Sequence, residues 1–314
     1  MAILPIKSSK QASLEAKKII DEGRTGIQQG LYTRFKALDH MLLGSWRFEN
    51  LITLAGMSGG GKSYMLNMLR KDFANKELNK AFNKPFRQIH FAFEMSASDE
   101  VIRSASSDIK SSYSDLISAY QILPDNKYEQ VVQMLKLYEE LNIDYVEISG
   151  TVQDIYDTIK HYQGLYSQQS LIISLDHTLL TEYNGEKDEI QLVSRLSKMM
   201  LRTRKEIQSM NIMIGQLNAN IEDSQRIMTP SLHYPIKKDI HGSKAVFQDS
   251  DIVFVVHTPE KLGIQNYGMA QRETEDMVFN HVLKNRKGGQ IGVIPMRQDY
   301  ANGNLIEETE TQFG

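Results

Sequence analysis

Residues 56–63 of this 314-residue chain read Gly-Met-Ser-Gly-Gly-Gly-Lys-Ser. The order fits G-x-x-x-x-G-K-[ST], a loop that cradles phosphate. Each residue type has a physical task. Gly56, Gly59, Gly60 and Gly61, with Ser58 among them, let the backbone curl so that its N–H groups converge on phosphate oxygens. Lys62 brings a positive charge to the β- and γ-phosphates, and the Ser63 hydroxyl is a ligand for Mg²⁺. An apolar run, Leu51 to Ala55, precedes the loop, and a helical pattern over 63–73 follows it. That helix aims its positive dipole end at the same anion. ATP and Mg²⁺ are therefore the expected cofactors. A glycine-rich turn that merely contains lysine is the bland alternative, and the strand and helix signals on either side argue against it.

Three more polar residues close apolar runs. Asp176 ends LIISLD, where a carboxylate holds Mg²⁺ through water. Glu94 ends HFAFE, where it can orient or deprotonate an attacking water. Gln216 follows NIMIG and is placed to touch the γ-phosphate or that water. A solvent-facing strand end is the bland reading of Asp176, which its alignment with the phosphate-loop strand argues against, and alone Gln216 reads more readily as a polar strand end. They gain meaning together, because ligands bind at the carboxyl ends of parallel strands.

These residues need a scaffold that brings strand ends together. Short, almost wholly apolar runs at 51–55, 88–93, 145–148, 171–175, 211–215 and 251–257 predict strands buried on both faces. Helical patterns lie between them at about 63–73, 99–110, 126–141, 151–163 and 189–209. In the last, Ile190, Val193, Leu196, Met200 and Ile207 fall on one stripe. Alternation of this kind predicts an α/β fold, a mainly parallel central sheet with helices on both faces. Residues 277–286 and 291–297 flank Lys287-Gly288-Gly289 and predict a C-terminal β-hairpin. The polar stretch 218–244, with Pro230 and Pro235, reads as a long functional loop, and 259–275 as a polar insertion. Residues 1–25 read as a linker segment with a short helix capped by Ser13 and stopped at Gly23. Its stripe of Leu14, Ile19 and Ile20 either packs on its own domain or docks on a neighbour. Residues 26–314 form the main domain, ending in a solvated tail, EETETQFG.

Apolar residues are 41% and charged residues 24%, which excludes a disordered or collagen-like chain. With no cysteine, disulfides, thiolate zinc and a cysteine nucleophile are excluded. The histidines show no metal-ligand spacing. No apolar run approaches the roughly 20 residues that span a bilayer, and the first ten residues are too short in their apolar part for a signal peptide. A cytoplasmic location without membrane partners follows as the expectation. Net charge is −3, so nucleic acid would have to be met by a local basic patch.

The order and spacing of these pieces resemble the C-terminal RecA-like ATPase domain of DnaB-type replicative helicases. The likeness runs from GIQQGLYTRFKALDHML (26–42) through GMSGGGKS, FAFEMSASDEVIR (91–103), LIISLDH (171–177) and IGQLNANIEDSQR (214–226). It continues over DIHGSKAVFQDSDIVFVVH (239–257) and LKNRKGGQIG (283–292). The resemblance implies Glu94 as catalytic base, Asp176 as the Mg²⁺-associated acid and Gln216 as sensor. It implies Lys284 and Arg286 as a lysine and an arginine finger acting on ATP held by the adjacent subunit. A hexameric homo-oligomer encircling single-stranded DNA is implied, with 5′ to 3′ movement. Arg226, Lys237, Lys238, His241 and Lys244 stand in the family's DNA-binding loops. A primase or helicase loader is the implied partner, and the compact length suggests a phage- or plasmid-like form.

The chain departs from the family pattern at Ala219, His241 and Lys244, and at His177-Thr178 after the second acid. Those changes bear on DNA contact more than on hydrolysis. Two other classes share part of the signature: a RecA-like ATPase of another role, such as a recombination or repair motor, and a non-unwinding DNA-binding ring protein.

Overall fold

The apolar run at 51–55 becomes β1 (Leu51–Gly56), a strand with no wet face. The computed structural model describes residues 5–229, 232–299 and 304–308. Ile52 and Leu54 pack in one layer with Met65, Leu66, Leu69 and Phe73 of α3 (Lys62–Ala74). Leu51 joins the opposite layer, with Ile155 and Ile159 of α7 (Val152–Leu165) and Leu196 and Met200 of α8 (Glu189–Glu206). A strand buried on both sides must lie inside a sheet. β1 accordingly pairs in parallel with β5 (Met210–Gln216) and β6 (Ile252–His257).

Among the described residues the central sheet has nine strands in the order β11-β10-β9-β6-β1-β5-β4-β2-β3. Its other parallel members are β2 (Phe86–Ala92), β3 (Ile143–Val146) and β4 (Ser170–Asp176). β9 (Met277–Asn285) and β10 (Gly292–Asp299) form the expected hairpin and run antiparallel. At its bend Gly288 takes φ 86°, a conformation that costs glycine little. The fold is thus the α/β architecture expected, extended by one more antiparallel strand, β11 (Asn304–Glu307).

Between β2 and β3 the chain forms α4 (Ala97–Asp108), α5 (Tyr113–Ile117) and α6 (Asp125–Glu139). The start of α4 precedes the expected one because Ser96 caps it, accepting from the Asp99 N–H at 3.1 Å. Thr151 and Asp188 cap α7 and α8 in the same way. Such caps contribute about 1 kcal/mol each.

Some expectations are corrected. The first helix, α1 (Ser9–Arg24), is capped by Ser8 in a reciprocal pair with Gln11, so Ser13 is interior and Gly23 does not stop it. Nothing on α1 is buried, and Leu14, Ile19 and Ile20 stay exposed. The stripe therefore does not pack on its own domain. In α8, Leu192, Val193, Leu196 and Met200 are buried. Ile190, in the first turn, is exposed, and Ile207 lies past the last turn. The polar insertion holds a ribbon of β7 (Asn266–Tyr267) and β8 (Arg272–Glu273). Glu307 is not in a solvated tail: its carboxylate accepts from the Ala37 and Leu38 N–H groups at 3.0 and 3.1 Å. Those donors open α2 (Lys36–Met41), a helix start that welcomes negative charge. Residues 309–314 of the expected tail, and Pro230, lie outside the described residues. Among the described residues no helix is long and apolar enough to cross a membrane.

Candidate nucleotide site

The phosphate loop leaves the carboxyl end of β1 between its two neighbours, with Gly56 opposite Gln216 on one side and Val256 on the other. Glycine is required at 56: a Cβ there would meet the Val256 carbonyl oxygen at 2.6 Å and Lys62 Cγ at 2.9 Å. Gly59 and Gly61 have φ of 64° and 91°, the left-handed region that side chains disfavour. Lys62 is buried and its Nζ donates to the Met57 carbonyl at 2.7 Å, folded back across the loop. Burial lowers its pKa, against the pull of Asp176 and Glu94.

Asp176 ends β4 and is buried. The Ser63 hydroxyl bonds its carboxylate, while Oδ1 has no partner among the described residues. Burial, with help from the charges of Glu94 and Glu100, pushes its pKa up to about 6. An orphaned carboxylate oxygen beside a serine hydroxyl is a donor set that suits a hard cation. Among the described residues no trio of histidine or acidic side chains forms a metal cage. Ala92 pairs with Asp176 across β2 and β4, and the Phe93 N–H donates to the Asp176 carbonyl at 2.8 Å. This register brings Glu94 over the same pocket. Ser63, Glu94 and Asp176 line it together with Asn67, Glu100 and Arg103.

Gln216, at the end of β5, lies against His177. The Gln216 carboxamide nitrogen faces His177 Nε2, while His177 Nδ1 accepts from the Leu179 N–H at 3.2 Å. Burial lowers the His177 pKa and favours the neutral ring. The Gln216 backbone carbonyl accepts the His241 N–H at 2.8 Å, and Leu217 bridges Ile240. The loop at 218–241 therefore hangs from the end of β5.

The five cations expected in the DNA loops separate into two groups. Arg226, in α9 (Ser224–Met228), is turned inward. It donates to both Asp239 oxygens at 2.6 and 2.9 Å and to the carbonyls of Asn220, Leu232 and Tyr234. All its donors are engaged, so it braces the loop rather than facing a ligand. His241 sits 3.3 Å from Glu189. Lys237, Lys238 and Lys244 are exposed, and Lys237 rests over the Phe247 ring of α10 (Ser243–Asp249).

Lys284 and Arg286 share one face, as period two requires, and both reach the carboxyl end of α10. Lys284 Nζ donates to the carbonyls of Phe247, Gln248 and Ser250. Arg286 donates to the Gln248 carbonyl and to Asp251. Cations at a helix carboxyl end are favourable. This point is at the far end of the sheet from the phosphate loop.

Arg103, Glu100 and His177 were missed as site residues by the sequence signal. Arg103 and Glu100 lie nine and six residues along from Glu94, on one turn-spaced face of α4, which is the only hint available. Glu100 is held ionised, its pKa lowered to about 2 against its burial by Arg70 and His90. His90 links Glu100 at 2.9 Å to Ser174 at 2.8 Å and is buried, neutral and inaccessible.

The family model described as DnaB-like helicase C terminal domain matches residues 30–301. A probable replicative DNA helicase of Guillardia theta is 27% identical over 227 residues, 69% of this chain and 35% of that protein. The replicative DNA helicase DnaB of Geobacillus stearothermophilus is 23% identical over 276 residues, 87% of this chain and 55% of that protein. The chain thus spans about half, or less, of the curated relatives it matches. One solved structure, described as an ATPase domain, superposes with a TM-score of 0.81 at 16% identity, covering 97% of this chain and all of that one. A DnaB-like replicative helicase, solved with attention to its interactions with primase, gives 0.77 at 16% identity, covering 96% and 67%. The structural likenesses show the shared fold.

Proposed function

Since the chain belongs to the DnaB-like helicase C-terminal domain family, we propose that it is the ATP-hydrolysing motor of a replicative DNA helicase. It works as a ring of identical subunits around single-stranded DNA. One observation carries this. Lys62, Ser63, Glu94, Asp176 and Gln216 converge at one end of the sheet, while Lys284 and Arg286 stand together at the other.

In this account the loop N–H groups, Lys62 and the helix start bind the triphosphate. Ser63 and Asp176 would hold Mg²⁺, which neutralises phosphate charge when bound. Glu94 orients the attacking water and takes its proton as the water oxygen bonds to the γ-phosphorus and the β–γ bridging bond breaks. Lys284 and Arg286 of a neighbouring subunit leave their carbonyl partners and stabilise the developing charge, a contribution typically of about 10³–10⁵ in rate. Gln216 senses the γ-phosphate and moves the loop that hangs from its backbone. The exposed Lys237, Lys238 and Lys244 of that loop meet DNA phosphates, six copies around one pore offsetting the net negative charge.

The uncovered stripe of α1 is the surface for docking on the next subunit. A primase or loader is the partner class for the assembled ring, and the cytoplasm is its place of work. Strand displacement on forked DNA with opposite single-stranded tails tests the proposal. Unwinding of the fork with a 5′ loading tail, dependent on ATP, is expected. Hydrolysis without displacement on either fork would favour a non-unwinding RecA-like motor.

A further inference from the structure

The segment after β6 folds back over the phosphate loop. Thr258 is buried, and its hydroxyl donates to the Gly60 carbonyl at 3.3 Å. A single 3₁₀ turn follows, Pro259–Leu262, begun by proline and closed by Gly263 at φ 72°. Proline fixes its own φ at the start of that turn, and glycine takes without strain the left-handed form that closes it. The turn sets Lys261 against the loop. Its Nζ hydrogen-bonds the Gly59 carbonyl, and a Cβ added at Gly59 would stand 3.2 Å from it. The rest of the Lys261 side chain is exposed.

Two ammonium groups therefore share one small loop, Lys62 inside the cradle and Lys261 at its rim. Their charges are close enough that Lys261 contributes to lowering the pKa of Lys62. Like charges held together are costly unless an anion lies between them. A backbone carbonyl is also a weaker partner for an ammonium than a phosphate oxygen. The G-x-x-x-x-G-K-[ST] pattern places one lysine at the anion, and nothing in it calls for a second from a different strand.

We propose that Lys261 is a second phosphate-binding cation of the nucleotide site, supplied by the same subunit from the turn after β6. Its ligand is the polyphosphate tail of a nucleoside triphosphate. The inference rests on the phosphate loop binding nucleotide, as argued above.

The test compares wild type, Lys62→Ala, Lys261→Met and Lys261→Arg, all checked for an unchanged melting temperature. Binding of a non-hydrolysable ATP analogue, ADP and adenosine is measured, with the kinetics of ATP hydrolysis. Lys261→Met is expected to weaken the triphosphate about tenfold, as for one charge-assisted hydrogen bond. ADP should weaken less and adenosine not at all. KM for ATP should rise with kcat nearly kept, and Lys261→Arg should restore most of the affinity. Wild-type affinity in Lys261→Met, or equal losses for triphosphate and adenosine, would overturn the role of Lys261 alone. Failure of the wild type to bind any nucleotide would overturn the phosphate-loop reading, and this role with it.

Discussion

Lys62 and Lys284 belong to opposite ends of one sheet. Lys62 follows Gly56, which pairs with Val256 at the carboxyl end of β6, whereas Lys284 pairs with Val253 near its start. Arg286 lies further still, its N–H bonded to the Asp251 carbonyl. From the level of Gly56 to that of Arg286 is five residue steps along β6, about 17 Å of strand. Neither Lys284 nor Arg286 can reach the phosphate loop of its own chain. If they act on nucleotide, they act on a neighbour's.

Hydrolysis should depend on Glu94 differently from binding. Glu94→Gln keeps the shape of the pocket and removes the base. Turnover should fall by about 10²–10⁴, the usual worth of a positioned general base, with ATP affinity nearly unchanged. Single-turnover hydrolysis beside equilibrium binding measures this, and wild-type turnover would remove Glu94 from the role.

Arg226 and the exposed lysines should separate cleanly. Arg226→Ala leaves the Asp239 carboxylate buried without its partner, so unfolding should become easier by about 3–5 kcal/mol. Alanine at Lys237, Lys238 or Lys244 should leave the melting temperature in place. Each should weaken single-stranded DNA binding and reduce the salt slope of affinity by about 0.7 per lost phosphate contact. Denaturant titration and binding at several salt concentrations distinguish the two groups.

Stability should fall in acid through buried neutral histidines. Burial lowers the pKa of His90 to about 4 and of His257 to about 3, and lowers that of His281 as well. The unfolded chain takes up these protons near pH 6.5 and the folded chain does not. Their contribution is therefore whole above pH 6.5 and is lost as pH falls toward 4. Both ring nitrogens of His257 lack a hydrogen-bond partner among the described residues. His257→Phe should thus flatten that decline without lowering stability at pH 7.5. Urea midpoints from pH 7.5 to 4.5 would show it, and an unchanged slope would contradict it.

What could be read from the chain alone was what is local in it. A phosphate loop is built from the backbone of consecutive residues, so its spacing alone carries its geometry. The double-sided burial of β1, β4, β5 and β6 writes itself as almost wholly apolar runs. Relations across long sequence distances were not legible. An arginine at 226 looks the same whether it faces DNA or reaches Asp239, and only the folded loop decides. The contact of Gln216 with His177 joins residues 39 apart. Ser8 and Ser13 are equally good cap types, and the reciprocal Gln11 settled the choice. β7 and β8, at two residues each, are too short to carry a period. Glu307 looked like a charged tail because its partners, Ala37 and Leu38, lie at the other end of the chain.

The most direct test of a nucleotide site shared between subunits mixes two inactive proteins. Lys62→Ala subunits lack the cradle's cation and Arg286→Ala subunits lack the finger. Co-assembled, they form some interfaces with Lys62 intact on one side and Arg286 intact on the other. ATP hydrolysis stimulated by single-stranded DNA should then appear in the mixture at a level neither protein reaches alone. Activity no greater than the sum of the separate preparations, with mixed assembly verified, would contradict the account.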